Sequence, residues 1–143
     1  MPVIRRNGME KVTRIGVSLE PALLKDFDRY IKTHRYTNRS EALRDMIRET
    51  LATEEWGKGG GNVIGTITMV YDHDAHHVVD KLTKIQHNYH HNVHSTTHVH
   101  LDAHMCLEVI VVQGKAKDVQ ALADSIKATK GVKHAQLART AGK

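Results

Sequence analysis

Before a glycine-rich run at Gly57–Gly61, the chain offers one strand-like stretch and no second one to pair with it. In Val12–Leu19, Ile15, Val17 and Leu19 alternate with Arg14, Gly16 and Ser18, the period-two pattern of a strand with one apolar face. Pro21 suits the first turn of a helix, whose apolar stripe is Leu23, Leu24, Phe27, Tyr30 and Ile31. His34-Arg35-Tyr36-Thr37 makes the break. Asn38 is then placed to cap a second helix, with Glu41 as its capping-box partner, and Leu43, Met46, Ile47 and Leu51 give that helix its own stripe. One strand and two helices cannot satisfy both strand edges or bury both stripes. The pattern requires a second copy: two strands pair as an antiparallel ribbon, and four helices pool one core.

Such a ribbon fits the DNA major groove, and Arg14, Gly16 and Ser18 are the side it would present. The free N–H groups at Asn38, Arg39 and Ser40 are placed to hold a phosphate at a helix start. A net charge of +5 favours an acidic partner of this kind. Strand, helix, turn and the run N-R-S-E-A-L-R-D (Asn38 to Asp45) resemble a ribbon-helix-helix DNA-binding domain of the Arc and MetJ type. The resemblance gives Arg14, Gly16 and Ser18 the base-reading positions. Gly16 departs from it, having no side chain to donate or accept; it either reads nothing or lets the backbone come closer. Residues 1–11, with Arg5, Arg6 and Lys11, form a basic arm, either solvated or a supplementary phosphate contact.

The helical pattern breaks at Glu54–Gly61, a flexible connector that divides a domain over 12–53 from one over 62–139. Trp56 within it is assigned no function. Beyond it come a strand at Val63–Tyr71, a helix from Val78 to about Tyr89, strands at Val93–Leu101 and Met105–Val112, a helix through Val119 and Ile126 closed by Gly131, and a strand at Val132–Ala138. The order β-α-β-β-α-β is that of a ferredoxin-like unit, an architecture shared with small ACT-type sensing domains. The fold class is α+β: an obligate-dimer ribbon-helix-helix domain followed by an ACT-like βαββαβ domain. Aromatic residues make up only 4% of the chain, so its small domains gain from oligomerisation.

Ten of the twelve histidines lie between positions 73 and 104, close to Cys106, the one cysteine. A single cysteine excludes an internal disulfide framework and fits a reducing cytoplasm. A three-residue turn at Asp102–His104 sets His100 opposite Cys106 and His98 opposite Glu108, all on one face. Directly paired Cβ atoms lie about 4.5–5.5 Å apart, so two imidazoles and a thiolate reach one ion. Glu108 is either an edge-of-core carboxylate or the acceptor that orients a ligand imidazole. The hairpin leaves one side of the ion open, and His87, His90, His91 and His94 all compete for it. Imidazole and thiolate suit nickel, copper and zinc alike. His73 and His76 read as solvated surface or weaker accessory ligands.

A ribbon-helix-helix domain joined to a βαββαβ domain carrying Q-H (Gln86-His87), H-V-H (His98 to His100) and C-L-E (Cys106 to Glu108) resembles the nickel-responsive transcriptional repressors over residues 11 to about 138. That resemblance implies one square-planar Ni(II) per subunit, held by His98, His100 and Cys106, with His87 supplied by the facing subunit. It also implies a homotetramer, two DNA-binding dimers about a core of four sensing domains, that binds palindromic operator DNA and represses nickel-uptake genes when nickel is bound. A zinc or copper sensor on the same scaffold and a nickel storage or chaperone protein are the alternatives. An enzyme would need a second catalytic constellation, which the sequence lacks. No apolar run is long enough for a membrane span, and no protein partner beyond further copies of the chain is evident.

Overall fold

The computed structural model describes residues 11–140, so most of the basic arm lies outside the described residues. These fall into two compact units divided between Ala42 and Leu43.

In the first unit, residues 11–20 enter no ladder among the described residues. Their apolar side chains stand in solvent, Ile15 at 76% exposure. A strand exists only with a partner to bond to, so the expected strand is not formed among the described residues. Helix α1 (Pro21–Thr33) starts with proline at its first position, which costs no intrahelical bond there. Helix α2 spans Arg39–Gly57. As anticipated, the Asn38 side chain caps it, Oδ1 accepting the Glu41 N–H at 2.9 Å. The helix continues through Glu54–Gly57, so the irregular connection shrinks to the residues after Gly57.

The second unit contains a four-stranded antiparallel sheet of order β2-β3-β1-β4. Its strands are β1 (Asn62–Asp72), β2 (Val93–His100), β3 (Met105–Lys115) and β4 (Val132–Thr140). Helix α3 (Val78–Asn88) links β1 to β2, and α4 (Ala116–Lys127) links β3 to β4. This is the ferredoxin-like arrangement that the element order predicts.

One face of β1 and β3 (Val63, Ile67, Met69, Tyr71, Cys106, Ile110, Val112) joins Val78 and Leu82 of α3 and Val119, Leu122, Ala123 and Ile126 of α4 in a single core. Full burial is worth about 1.5–3 kcal/mol for each large aliphatic side chain. A twelve-residue helix such as α4 therefore owes its existence to this face more than to propensity. Trp56 is buried in the same core, its Nε1 donating to the Thr140 carbonyl at 3.4 Å and the Arg139 guanidinium 5.4 Å above its ring. Gly65 lets β4 come close: a Cβ there would stand 2.6 Å from the Ala138 carbonyl oxygen.

Two consequences bear on the site. Strand β2 lies at the sheet edge, and every residue of it after Val93 is exposed. The turn into α3 carries two successive non-glycine residues in the left-handed region, His76 (φ 45°) and His77 (φ 56°).

Candidate metal centre

The β2–β3 hairpin has the register read from the sequence: His98 faces Glu108 and His100 faces Cys106. The turn is tied by Asp102, whose Oδ1 accepts the backbone N–H groups of His104 and Met105 at 2.8 Å each. Those two bonds hold the Asp102 carboxyl below the usual carboxylate range.

Cys106 is fully buried in the strand pair next to this turn. Burial is the main cause pushing its thiol up from the ordinary value, with the negative charges of Asp102 and Glu108 adding to it. Two imidazoles approach the sulfur: His100 Nδ1 at 3.5 Å and His73 Nδ1 at 3.2 Å. The donor atoms of His73, His100 and Cys106 all lie within 4.8 Å of one another. Metal–nitrogen and metal–sulfur bonds of about 2.0–2.3 Å span such separations. Two nitrogens and one sulfur therefore suit a borderline-soft transition metal.

His73 is the member that the sequence reads as solvated surface or a weaker accessory ligand. It follows the β1 residues whose register with β3 is Tyr71↔Cys106 and Asp72↔Met105. Its backbone N–H donates to the His104 carbonyl at 3.0 Å, bringing its ring beside Cys106. The β1–β3 register, which no local motif announces, is what carries it there.

His98 does not join that group. Its Nδ1 lies 3.3 Å from the Tyr71 hydroxyl, which donates to Glu108 Oε2 at 3.0 Å. A hydroxyl has one hydrogen; with that spent on the carboxylate, His98 donates Nδ1–H to the Tyr71 oxygen. The tautomer is thereby set, and Nε2 keeps its lone pair for a metal. Glu108 is 8% exposed, and its other oxygen accepts from Gln86 Nε2 of α3 at 3.2 Å. Burial and the Glu108 charge push the Tyr71 phenol up, so it stays a donor.

His87 follows Gln86 but is exposed on α3, its ring centroid 5.9 Å from that of His90. It too lies outside the His73–His100–Cys106 group. Asp72, Asp74 and His104 form a second, more exposed cluster beside it, in which His104 Nδ1 bonds Asp74 Oδ2 at 2.8 Å.

In the first unit, Arg14, Gly16 and Ser18 are all exposed, and a Cβ on Gly16 would meet nothing within 4 Å. Asn38, Arg39 and Ser40 are exposed at the start of α2. The Arg39 guanidinium, however, is paired with both carboxylate oxygens of Asp28 at 2.9 Å. It ties the start of α2 to α1 and occupies the guanidinium.

A family model described as the NikR C terminal nickel binding domain matches residues 64–140. The chain belongs to the nickel-responsive regulator family. A second model, ribbon-helix-helix protein of the copG family, matches residues 13–54. Relatives named as nickel-responsive regulators include one from Pelobacter propionicus, 48% identical over 133 residues, covering 93% of this chain and 96% of that one. Another, from Caldanaerobacter subterraneus subsp. tengcongensis, is 48% identical over 132 residues and covers 92% and 86%. The family is one of regulators rather than enzymes. Among solved structures, an uncharacterized protein from Thermotoga maritima shares the fold with a TM-score of 0.50 at 14% identity, covering 55% of this chain and 96% of that one.

Proposed function

We propose that the chain is a nickel-dependent DNA-binding repressor of nickel-uptake genes, acting as a homotetramer. The observation that carries this reading is the hairpin register, which sets His98 and His100 beside Cys106 and Glu108 on one face. His98, His100 and Cys106 are the ligands of one Ni(II) per subunit, completed by His87 of a second copy. Bound there, the ion supplies a crosslink between chains.

The residues around the site prepare it. Tyr71 fixes the His98 tautomer, and Glu108 holds Tyr71 from β1 and Gln86 from α3 together. The His87 backbone is thereby anchored through its neighbour, and its imidazole is left free to face outward. Within one chain His73 Nδ1 stands 3.2 Å from the sulfur and helps to shield it.

Two surfaces support assembly. The sheet face opposite the helices carries Ile64, Val70, Leu107, Val109 and Val111, only half-buried, together with exposed Val99 and Leu101. In the other unit, Val12, Ile15 and Val17 are exposed where a ribbon partner would cover them. On that ribbon Arg14, Gly16 and Ser18 face the bases, and the N–H groups of Asn38, Arg39 and Ser40 hold a phosphate. Metal across two chains fixes the spacing of the DNA-binding dimers and so favours one operator-bound form.

The test is a nickel titration followed by X-ray absorption, in the wild type and in Cys106→Ala. The expected result is one sulfur and three nitrogen ligands in a planar set, with the sulfur, its charge-transfer absorption and metal-dependent operator binding lost in the variant. Tight nickel binding unchanged by Cys106→Ala would overturn the site, and a tetrahedral set in the wild type would favour a zinc sensor.

A further inference from the structure

The first unit holds an ion pair to which the functional reading gives no role. Arg39, the first residue of α2, donates from Nε to one carboxylate oxygen of Asp28 and from Nη2 to the other, at 2.9 Å each. Two parallel bonds of this kind are the geometry in which a guanidinium takes either a carboxylate or a phosphate. The pair lies open to solvent, the Arg39 and Asp28 side chains being 58% and 46% exposed. The guanidinium holds the Asp28 carboxyl below its ordinary value.

The turn that this pair spans is closed without it. Arg35 stands in the left-handed region at φ 60°. Its N–H donates to the Lys32 carbonyl at 3.3 Å, and that of Tyr36 donates to the Ile31 carbonyl at 3.0 Å, which together end α1. The His34 ring stacks on Tyr30 with centroids 3.9 Å apart, and Asn38 caps α2. An exposed ion pair adds little stability to a turn already fixed in these ways. Its larger effect is electrostatic: a fork suited to phosphate is filled from within the chain, and its charge is cancelled. Phosphate contacts carry no sequence information, yet they supply essentially all of a protein's affinity for DNA of arbitrary sequence. In a chain of net charge +5, one more free cation at the start of α2 strengthens that unselective binding.

We propose that Asp28 is a specificity-determining residue of the DNA-binding unit: by occupying the Arg39 guanidinium it withholds one sequence-independent phosphate contact. The inference rests on the proposed function, in which the backbone at Asn38, Arg39 and Ser40 meets a phosphate. With the guanidinium held back, affinity for DNA at large stays low, and discrimination among sequences is left to the ribbon.

The experiment measures binding of the full chain to a random-sequence DNA duplex over a series of salt concentrations. It compares wild type, Asp28→Asn, Asp26→Asn, and Asp28→Asn combined with Arg39→Gln. Asp26 is an exposed carboxylate on the same helix, bonded to Arg29 at 2.9 Å; its variant makes the same change in net charge and is the control. Thermal melting verifies that each variant is folded, and Asp28→Ser takes the place of Asp28→Asn if the latter melts early. Expected for Asp28→Asn is tighter binding at low salt and a plot of log K against log salt steeper by about 0.9, one more phosphate neutralised. Asp26→Asn keeps the wild-type slope, and Arg39→Gln in the Asp28→Asn background removes the gain. A slope in Asp28→Asn equal to that in Asp26→Asn, or a gain that survives Arg39→Gln, overturns the inference. Wild-type protein that binds no duplex even at low salt would instead remove the DNA-binding reading, and this inference with it.

Discussion

Tyr71 shows how one hydroxyl sets the chemistry of two neighbours. It spends its hydrogen on Glu108 and so obliges His98 to donate, which leaves the Nε2 lone pair free for the proposed metal site. Tyr71→Phe removes both bonds while nearly preserving the shape of a buried ring. It frees the His98 tautomer and leaves Glu108 with Gln86 as its remaining side-chain partner. Partners of this kind are worth about 10–100-fold in metal affinity. The expected outcome is nickel binding weakened by about that factor with the fold intact, read by competition against a chelator; unaltered affinity would show that Tyr71 does not orient His98. At Cys106 the raised thiol pKa means that metal must displace a proton.

At the scale of elements, what the sequence made legible was local pattern. Alternation in β2 and β3 with a three-residue turn was enough to place His98, His100, Cys106 and Glu108 on one face in the right register. The capping role of Asn38 was equally legible, because cap and capped N–H are three residues apart. His73 was not, since its position depends on pairing between β1 and β3 across more than thirty residues. The Val12–Leu19 strand was expected only with a second copy beside it, and residues 11–20 enter no ladder among the described residues.

The hairpin tip adds a tie that no motif reveals, between His104 and Asp74 of the β1–α3 loop. The Asp74 bond raises the His104 pKa above 6.5, and the same bond lowers the Asp74 carboxyl below 3.8. A raised histidine stabilises fully below its unfolded value and loses this as pH rises through its folded one. A lowered carboxylate stabilises above its unfolded value and loses this as pH falls through its folded one. The tie is thus strongest between 3.8 and 6.5. In the metal-free protein, hydrogen exchange at the His73 N–H, which bonds the His104 carbonyl, is expected to show its greatest protection in that window after correction for intrinsic rates. In His104→Ala the pH dependence should vanish; a profile identical to wild type would remove the pair from the account.

For the whole molecule, the proposed site divides its ligands between chains, and mixed assemblies test that directly. His87→Ala chains lack the donated imidazole, and Cys106→Ala chains lack the thiolate. Each alone should bind nickel poorly. When the two are unfolded together and refolded, a site built from Cys106 of one chain and His87 of the other is complete. The thiolate absorption is expected to return in the mixture, to a fraction set by the number of such pairings. If it stays absent while the assembly forms normally, all ligands come from one chain and the intersubunit site is wrong.

The burial of Cys106 has one more consequence, in redox terms. A thiol with no solvent access and a raised pKa is a poor nucleophile and a poor target for peroxide or a mixed disulfide. The chain's one thiol, the proposed metal ligand, is therefore shielded from oxidation while no metal is bound.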